Sequence, residues 1–458
     1  MSSAIFVSRW LLLSWMVVLL TSTGGTAQSK SPRTPNVIFI LADDLGYGDL
    51  SSYGQKKFST PNIDRLAAEG MRFTQFYAGS TVCAPSRCAL MTGLHTGHCR
   101  VRGNAPGGGV PLLPEDVTVA EVLKQAGYRT AAYGKWGLGL ADTSGAPTRQ
   151  GFDEWFGYLD QTHAHFYYTD HLWKNLDKVA VDKSQYTHDL FARSALRFVE
   201  SSKDKPFFLY LAFTIPHASL QVPEDSLARY RGKYPETPFP EQHYTAQPTP
   251  NAAVAAMIDR MDSDVGRLME LLKTLGIDRN TVVFFSSDNG PHKEGGRDPE
   301  FFQSSGPLRG IKRDLYEGGI RVPMIVRWPA KIKPGSVSDF AGAFWDFLPT
   351  AAEISGRQSP KKLDGISILP VLLGKTRKPH PHLYWEFHEK GFHQAIRMGN
   401  WKAVRHGPGK PLELYDLVKD LAERNDVADR HPDVVAKMES ILLNVRTESD
   451  RFPVPVVK

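Results

Sequence analysis

The stretch Val37-Ile38-Phe39-Ile40-Leu41-Ala42-Asp43-Asp44 decides the fold class of this 458-residue chain. Its first six residues are apolar and show no alternation with polar residues, which predicts a strand buried on both faces, as in a parallel sheet. Four later runs share this character: Arg129–Tyr133, Phe207–Phe213, Thr281–Ser286 and Val322–Arg327. We expect 37–42 and 281–286 to be neighbouring central strands.

Helical patterns lie between these runs. Residues 61–69 form one candidate helix, and Thr118 and Glu121 stand at capping-box spacing at the start of another. In residues 252–275, one helical face is apolar: Ile258, Met261, Val265, Leu268 and Leu272. Alternating strands and helices predict a large α/β domain over residues 35–375, with a mixed, mostly parallel sheet flanked by helices.

The composition changes after about residue 356, where stretches rich in Pro and Lys look like linkers. Four short strand-like runs follow: Leu383–Phe387, Gln394–Met398, Trp401–Arg405 and Leu412–Asp416. An amphipathic segment, Pro432–Leu443, comes last. Residues 380–458 are therefore expected to form a small C-terminal domain with an antiparallel sheet and one helix.

Residues 1–27 have the pattern of a signal peptide. Arg9 precedes an apolar run of 11 residues, 10–20, and small residues follow up to Ala27. A membrane span needs about 20 apolar residues, so we expect no stable membrane insertion. The interpretation is an exported protein of a periplasmic, extracellular or lysosome-like compartment.

The net charge of +6 is compatible with an anionic polymer substrate, but it could equally serve solubility. No nucleic-acid-binding motif accompanies it, so nucleic acid is not an expected partner. The apolar fraction of 41% is ample for a packed core. No feature of the sequence predicts an oligomeric state.

Polar residues follow the predicted strands at the edge where ligands bind in open α/β sheets. Asp43 and Asp44 follow the first strand, Asp288 and Asn289 follow the run that ends at Ser286, and Lys135 and His217 end two others. Carboxylate and amide oxygens without paired Cys or His favour a hard cation. We expect Ca²⁺ here, with Mg²⁺ possible.

The run Thr81-Val82-Cys83-Ala84-Pro85-Ser86-Arg87 contains the pattern C-x-P-S-R, and Met91-Thr92-Gly93 follows it. Other ordered motifs extend over most of the chain: Pro35–Gly46, Gly134–Gly139, Pro216-His217, Ser287–Pro291, Leu308–Lys312 and Glu317–Gly319. With these motifs the chain resembles the type I, formylglycine-dependent, arylsulfatase-like sulfatases of the alkaline phosphatase superfamily.

The resemblance implies that Cys83 is oxidised to formylglycine by a formylglycine-generating enzyme during maturation. The hydrate of this aldehyde would attack the sulfur of a sulfate ester. Asp43, Asp44, Asp288 and Asn289 would hold the cation together with the modified residue 83.

The resemblance also assigns the basic residues. Lys135 and Lys312 would neutralise the charge that builds on the sulfuryl oxygens. One of these lysines or a histidine, for which His217 is the candidate, would protonate the leaving oxygen. Arg87 would hold the modified residue and balance the acidic cluster.

One position departs from the family pattern. The family sequence G-K-W-H-L-G has a histidine where this chain has Gly137. We hypothesise that His163 or His165, in the downstream His-Ala-His, fills that place and recognises the sugar or transfers a proton. The alternative is an impaired site. His292 is expected to contact the substrate as well.

The expected substrate is a sulfated saccharide or an aryl sulfate. Aromatic residues near the His-Ala-His could stack on sugar rings: Phe166, Tyr167, Tyr168 and Trp173. Two alternatives stay open, a phosphomonoester or phosphonate ester hydrolase of the same superfamily and a non-catalytic carbohydrate-binding relative. Whether Cys88 and Cys99 form a disulfide is also open.

Overall fold

A computed structural model describes residues 34–104 and 109–456, together with residues 1, 2 and 5. Apart from these last three, the predicted signal peptide, residues 1–27, lies outside the described residues. The described residues from 34 to 456 form one compact unit.

Fifteen strands are described within these ranges. They are β1 (Asn36–Ala42), β2 (Met71–Tyr77), β3 (Arg129–Lys135), β4 (Glu154–Tyr158), β5 (His171–Lys174), β6 (Asp177–Ala180), β7 (Phe207–Ala212), β8 (Thr281–Ser287), β9 (Arg321–Arg327), β10 (Ser336–Ser338), β11 (Gly342–Ala343), β12 (Leu383–Phe387), β13 (His393–Met398), β14 (Trp401–Arg405) and β15 (Glu413–Asp416).

Ten α-helices accompany the strands in the same part of the chain. They are α1 (Pro61–Ala68), α2 (Cys83–Thr92), α3 (Val119–Gln125), α4 (Thr187–Ser202), α5 (Glu224–Leu227), α6 (Pro250–Thr274), α7 (Glu317–Ile320), α8 (Phe347–Ile354), α9 (Leu369–Leu372) and α10 (Pro432–Leu442). Short 3₁₀ turns occur at Ser51–Tyr53, Pro147–Arg149, His163–His165, Asp278–Asn280, Phe344–Asp346 and Ala428–Arg430.

The first eleven strands form one large sheet in the order β10-β2-β9-β8-β1-β7-β3-β4-β5-β6, with β11 paired to β2. β1 lies at the centre and pairs in parallel with both β7 and β8. The prediction that 37–42 and 281–286 are neighbouring central strands is therefore confirmed. β9 is antiparallel to β8 and β2, so the sheet is mixed but mostly parallel, as expected.

The large sheet lies between two helical layers. Alternate residues of β1 point to opposite faces, so Ile38 and Ile40 belong to one apolar core while Val37 and Phe39 belong to the other. The first core contains the apolar face predicted for α6: Ile258, Met261, Val265, Leu268 and Leu272. The predicted capping box at Thr118 and Glu121 is present at the start of α3.

The last four strands form an antiparallel sheet in sequence order. One face packs on α10, where Ile396 and Leu414 meet Met438. On the other face, the indole of Trp385 donates to the carbonyl of Ala78 at 2.9 Å. The expected antiparallel sheet with one helix is confirmed, whereas the boundary between domains 35–375 and 380–458 stays a prediction. Among the described residues, no helix has the length and apolarity required to cross a membrane.

Glu386 in β12 joins the C-terminal sheet to the rest of the molecule. Its carboxylate is fully buried and accepts hydrogen bonds from Arg102 at 3.1 Å, Arg446 at 2.9 Å and the hydroxyl of Tyr384 at 2.9 Å. Burial alone would raise the pKa of Glu386, but the hydrogen bond with His388 and the charges of Arg102 and Arg446 lower it from 4.5 to about 2.

We expect Glu386→Gln to destabilise the fold by about 3 kcal/mol, because two arginines lose their buried counter-charge. The stabilisation by Glu386 is complete above pH 4.5 and is lost as the pH falls through about 2, because the folded state binds its proton more weakly than the unfolded state. Urea unfolding at neutral pH measures the loss. The matched control is Glu439→Gln, whose partially exposed partner is Arg405. Equal effects of the two substitutions would contradict the prediction.

Candidate active site

The two acidic pairs meet because their strands are neighbours in register. Ala42 at the end of β1 lies opposite Ser287 at the end of β8, so the next residues of both strands are side by side. The backbone amide of Asp288 donates to the carbonyl of Ala42 at 3.1 Å. In return, the backbone amide of Asp44 donates to the Asp288 carboxylate at 3.0 Å.

Asp44 has a left-handed backbone (φ 64°), which orders the turn after β1. Its Oδ1 accepts a hydrogen bond from Asn289 Nδ2 at 2.6 Å. The other amide atom, Asn289 Oδ1, is buried and has no hydrogen-bond partner among the described residues. Asp43, Asp44, Asp288 and Asn289 are all fully buried.

Cys83 is the first residue of α2 and lies beside this acidic cluster. Its Sγ is 3.6 Å from Asp43 Oδ1. Burial raises the pKa of the Cys83 thiol well above its ordinary value, so an unmodified Cys83 is a neutral thiol and a poor nucleophile. Within the described residues, Cys88 and Cys99 are buried free thiols.

Arg87 lies one turn further along α2, and its buried guanidinium connects three elements. Nη2 and Nε donate to Asp288 Oδ2 at 2.8 and 3.1 Å, and Nη1 donates to the carbonyl of Lys135 at 2.6 Å. The planar fork therefore holds the start of α2 against the ends of β3 and β8.

Two buried lysines face the acidic pair after β1. Lys135 Nζ is 2.7 Å from Asp43 Oδ2, and Lys312 Nζ is 2.8 Å from Asp44 Oδ2. Burial alone would lower the pKa of Lys312, but the Asp44 carboxylate holds it well above its ordinary value. Both ammonium groups therefore stay charged beside Cys83 at neutral pH.

His217 is neutral, and its tautomer is set by its neighbours. Nδ1 donates to the carbonyl of Ala218, and Nε2 accepts a hydrogen bond from Lys312 Nζ at 3.0 Å. Burial and the charge of Lys312 lower the pKa of His217 well below its ordinary value.

Tyr167 supports the segment that carries His217, since its buried hydroxyl lies 2.7 Å from the His217 carbonyl. Tyr167 is therefore a positioning residue and has no exposed ring for a sugar, unlike the sequence expectation.

His292, predicted to contact substrate, has both ring nitrogens engaged by backbone groups. Nε2 donates to the carbonyl of Pro216 at 3.0 Å, and Nδ1 accepts from the backbone amide of Glu294 at 2.9 Å. The ring is fully buried and positions the chain before His217.

Glu294 is a residue of the site that the sequence analysis did not identify. Its Oε2 is 3.5 Å from Lys312 Nζ, and no motif signal marks it.

The structure separates His163 and His165, which the sequence offered as alternative candidates for the place left by Gly137. Their segment is a 3₁₀ turn, in which residues two apart point in different directions. The His165 ring stacks on His217 with centroids 4.6 Å apart, whereas His163 Nε2 lies 2.8 Å from the hydroxyl of Thr169 and its ring stacks on His171. Burial and the charge of Lys135 lower the pKa of His165 to about 3.

The donors beside Cys83 fit a hard cation. Burial and the neighbouring Asp43 carboxylate raise the pKa of Asp288 to about 7 even though Arg87 is paired with it, so a further positive charge at this position would favour its ionised form. The unpartnered Asn289 Oδ1 supplies a further oxygen. Three carboxylates and an amide oxygen at one strand edge are a donor set of the kind Ca²⁺ and Mg²⁺ prefer.

Comparison with known proteins gives the family. A sulfatase family model matches residues 35–356, and a model of the C-terminal part of N-sulphoglucosamine sulphohydrolase matches residues 311–448. The chain is 30% identical to an N-acetylgalactosamine-6-O-sulfatase of Bacteroides thetaiotaomicron, over 96% of this chain and 99% of that one. It is 32% identical to arylsulfatase A of Homo sapiens, over 93% of this chain and 90% of that one.

A solved structure supports the same assignment. Ps i-CgsB in complex with k-i-k-neocarrahexaose is similar to this chain with a TM-score of 0.79 and 30% identity, covering 90% of this chain and 93% of that one. The family model covers more than half of the chain, and the relative from Bacteroides thetaiotaomicron is matched along 99% of its length. This chain therefore belongs to the sulfatase family, and it is a sulfuric ester hydrolase of the alkaline phosphatase superfamily.

Proposed function

We propose that this sulfatase removes sulfate from a sulfated saccharide, with residue 83 converted to formylglycine and a Ca²⁺ ion in the acidic cluster. The observation that carries the proposal is the position of Cys83, at the start of a helix and beside the Asp43–Lys135 and Asp44–Lys312 ion pairs. The N-acetylgalactosamine-6-O-sulfatase that this chain matches along 99% of its length supports a sulfated sugar as substrate.

The neutral, buried thiol of Cys83 supports the need for modification, because a protonated thiol cannot attack sulfur at neutral pH. Formylglycine supplies a hydrated aldehyde, whose hydroxyl serves as the nucleophile. We infer that a formylglycine-generating enzyme is the partner that installs it, and that the protein is exported.

The two lysines would bind the sulfuryl group. Lys312 already donates to Asp44 and His217, which leaves the third N–H of its ammonium group for a substrate oxygen. Lys135 donates to Asp43 and has two N–H groups left. Both charges are preorganised by buried partners, so they stabilise developing negative charge without reorganising.

Asp43, Asp44, Asp288 and Asn289 would hold the cation, and the modified residue 83 would complete the site. A Ca²⁺ ion held there would polarise a sulfate oxygen and would favour ionisation of the nucleophilic hydroxyl. Arg87 keeps Asp288 directed toward this position, since its hydrogen bonds from Nε and Nη2 both go to Asp288 Oδ2 and leave Oδ1 toward Asp44. Mg²⁺ is the alternative ion.

The first prediction of the proposed function is that purified protein, made in a host with the generating enzyme, releases sulfate from N-acetylgalactosamine 6-sulfate and from 4-nitrophenyl sulfate. Peptide mass spectrometry should show the sulfur of Cys83 replaced by an aldehyde oxygen. Cys83→Ala should abolish multiple turnover, because no hydroxyl nucleophile can form.

The matched control is Cys88→Ala, in the same helix but outside the site, which should retain activity. Faster hydrolysis of 4-nitrophenyl phosphate than of the sulfate would instead favour a phosphoester hydrolase. Sugar binding without turnover, with an intact Cys83 thiol, would favour a non-catalytic relative.

A second prediction concerns the cation. Saturating Ca²⁺, at about 100 times its dissociation constant, should stabilise the folded protein by about 2.7 kcal/mol. Asp288→Asn preserves side-chain shape but removes a ligand charge. In this variant, Ca²⁺ should therefore raise the thermal unfolding temperature much less than in the unsubstituted protein. The exposed Asp182→Asn should keep the shift. Equal shifts for Asp288→Asn and the unsubstituted protein would contradict this metal site.

A third prediction separates the two histidines. His165 stacks on His217 and lies near the lysine charges, so His165→Ala should lower kcat/KM for both the sugar sulfate and the aryl sulfate by about tenfold. His163→Ala should have a smaller effect, confined to the sugar. A larger loss with His163→Ala would reject this assignment.

A further inference from the structure

The space beside Gly137 is already filled by another residue. Gly137 has a left-handed backbone (φ 80°), and a Cβ atom added there would lie 1.8 Å from Gln161 Nε2. No side chain fits at position 137 while Gln161 keeps its place. The group that occupies the open position is therefore the Gln161 amide, and not His163 or His165.

This amide makes no hydrogen bond with the described residues. Both Oε1 and Nε2 of Gln161 are shielded from water, and neither has a partner. An unpaired buried amide costs free energy, so its presence requires a reason. The side-chain amide of Gln221, by contrast, has a partner, since its Oε1 accepts a hydrogen bond from the backbone amide of Tyr167 at 3.0 Å.

The surroundings of Gln161 connect it to the sulfate site. Gly137 is two residues beyond Lys135, and its backbone amide donates to the carbonyl of Leu159 at 3.0 Å, which fixes the Gln161 loop beside β3. Four residues after Gln161, the ring of His165 stacks on His217. Gln161 therefore lies on a segment that is attached at both ends to groups of the site.

We propose that Gln161 contacts the substrate, with Nε2–H donating to a sulfate-ester oxygen held by Lys135 and Lys312, and that a glycine is required at 137 to make room for it. This inference rests on the proposed sulfatase site. A primary amide is neutral at every pH at which the protein folds, so it binds the anion without a titration step of its own. Bound substrate also satisfies the unpaired amide.

The test begins with two substitutions of different shape and charge. Gln161→Ala should lower kcat/KM for N-acetylgalactosamine 6-sulfate and 4-nitrophenyl sulfate by about 10- to 100-fold, the usual effect of one hydrogen bond to a charged group. Gln161→Glu has the same shape but places a carboxylate against the anion, so its kcat/KM should fall further than that of Gln161→Ala. The exposed Gln185→Ala is the control and should match the unsubstituted enzyme.

A binding measurement makes the result independent of turnover. Titration calorimetry with inorganic sulfate, in a Cys83→Ala background with Ca²⁺ present, should show weaker binding on adding Gln161→Ala. If Gln161→Glu retained more activity than Gln161→Ala, Gln161 would only fill space, and the inference would be overturned. Unchanged kinetics and sulfate binding for Gln161→Ala would overturn it too.

A double-mutant cycle tests whether a side chain at position 137 and the Gln161 amide compete for the same space. Gly137→Ala should impair the enzyme because its methyl group displaces the Gln161 amide. In the Gly137→Ala/Gln161→Ala double variant this clash is absent, so the combined loss should be smaller than the product of the single losses. Independent, multiplicative losses would contradict the assignment of Gln161 to this space.

Failure of the proposed function would be visible before any Gln161 variant is made. An unsubstituted protein that carries formylglycine but releases sulfate from neither ester would reject the proposed function. An active enzyme in which Gln161→Ala changes nothing would reject only the role of Gln161. Mass spectrometry of residue 83 in each variant ensures that the variants carry the same modification.

Discussion

The contact between Arg87 and Asp288 is the interaction on which the site depends. It is a fully buried ion pair, so neither partner can be removed without leaving an uncompensated charge in the protein interior. The same guanidinium binds the carbonyl of Lys135. One side chain thus holds the helix that carries residue 83 against the ends of the two strands that position Lys135 and Asp288.

Around this contact the site alternates buried anions and buried cations. Asp43 pairs with Lys135 and Asp44 pairs with Lys312 before any substrate binds. The paired lysines cannot rotate freely toward solvent, which preorganises them for an anion. The cost of burying these charges is offset by their mutual attraction and by hydrogen bonds from the backbone.

The C-terminal sheet is part of this arrangement. Lys402 in β14 is fully buried, and its Nζ lies 3.0 Å from carboxylate oxygens of both Glu317 and Glu423. Glu317 begins α7, five residues after Lys312. The second sheet therefore supports the segment that carries Lys312, and it belongs to the same compact unit as the large sheet.

The sequence by itself determined the central strands, the C-terminal sheet and the acidic pairs at the strand ends. These features follow from local information, since long apolar runs can be satisfied only by burial and polar residues after them mark the strand ends. Several elements without such runs were missed, among them β2, β4 and helix α2. Their residues mix polar and apolar types, and tertiary contacts decide their conformation.

Only the tertiary structure decided which groups stand around residue 83. The separation of His163 from His165 depends on a 3₁₀ turn, and the enclosure of His292 depends on backbone groups of Pro216 and Glu294. Gln161 fills the space beside Gly137, although the two residues are 24 positions apart in the sequence. Sequence spacing cannot reveal such a contact, because it arises from how the loops after β3 and β4 pack once these two strands have paired.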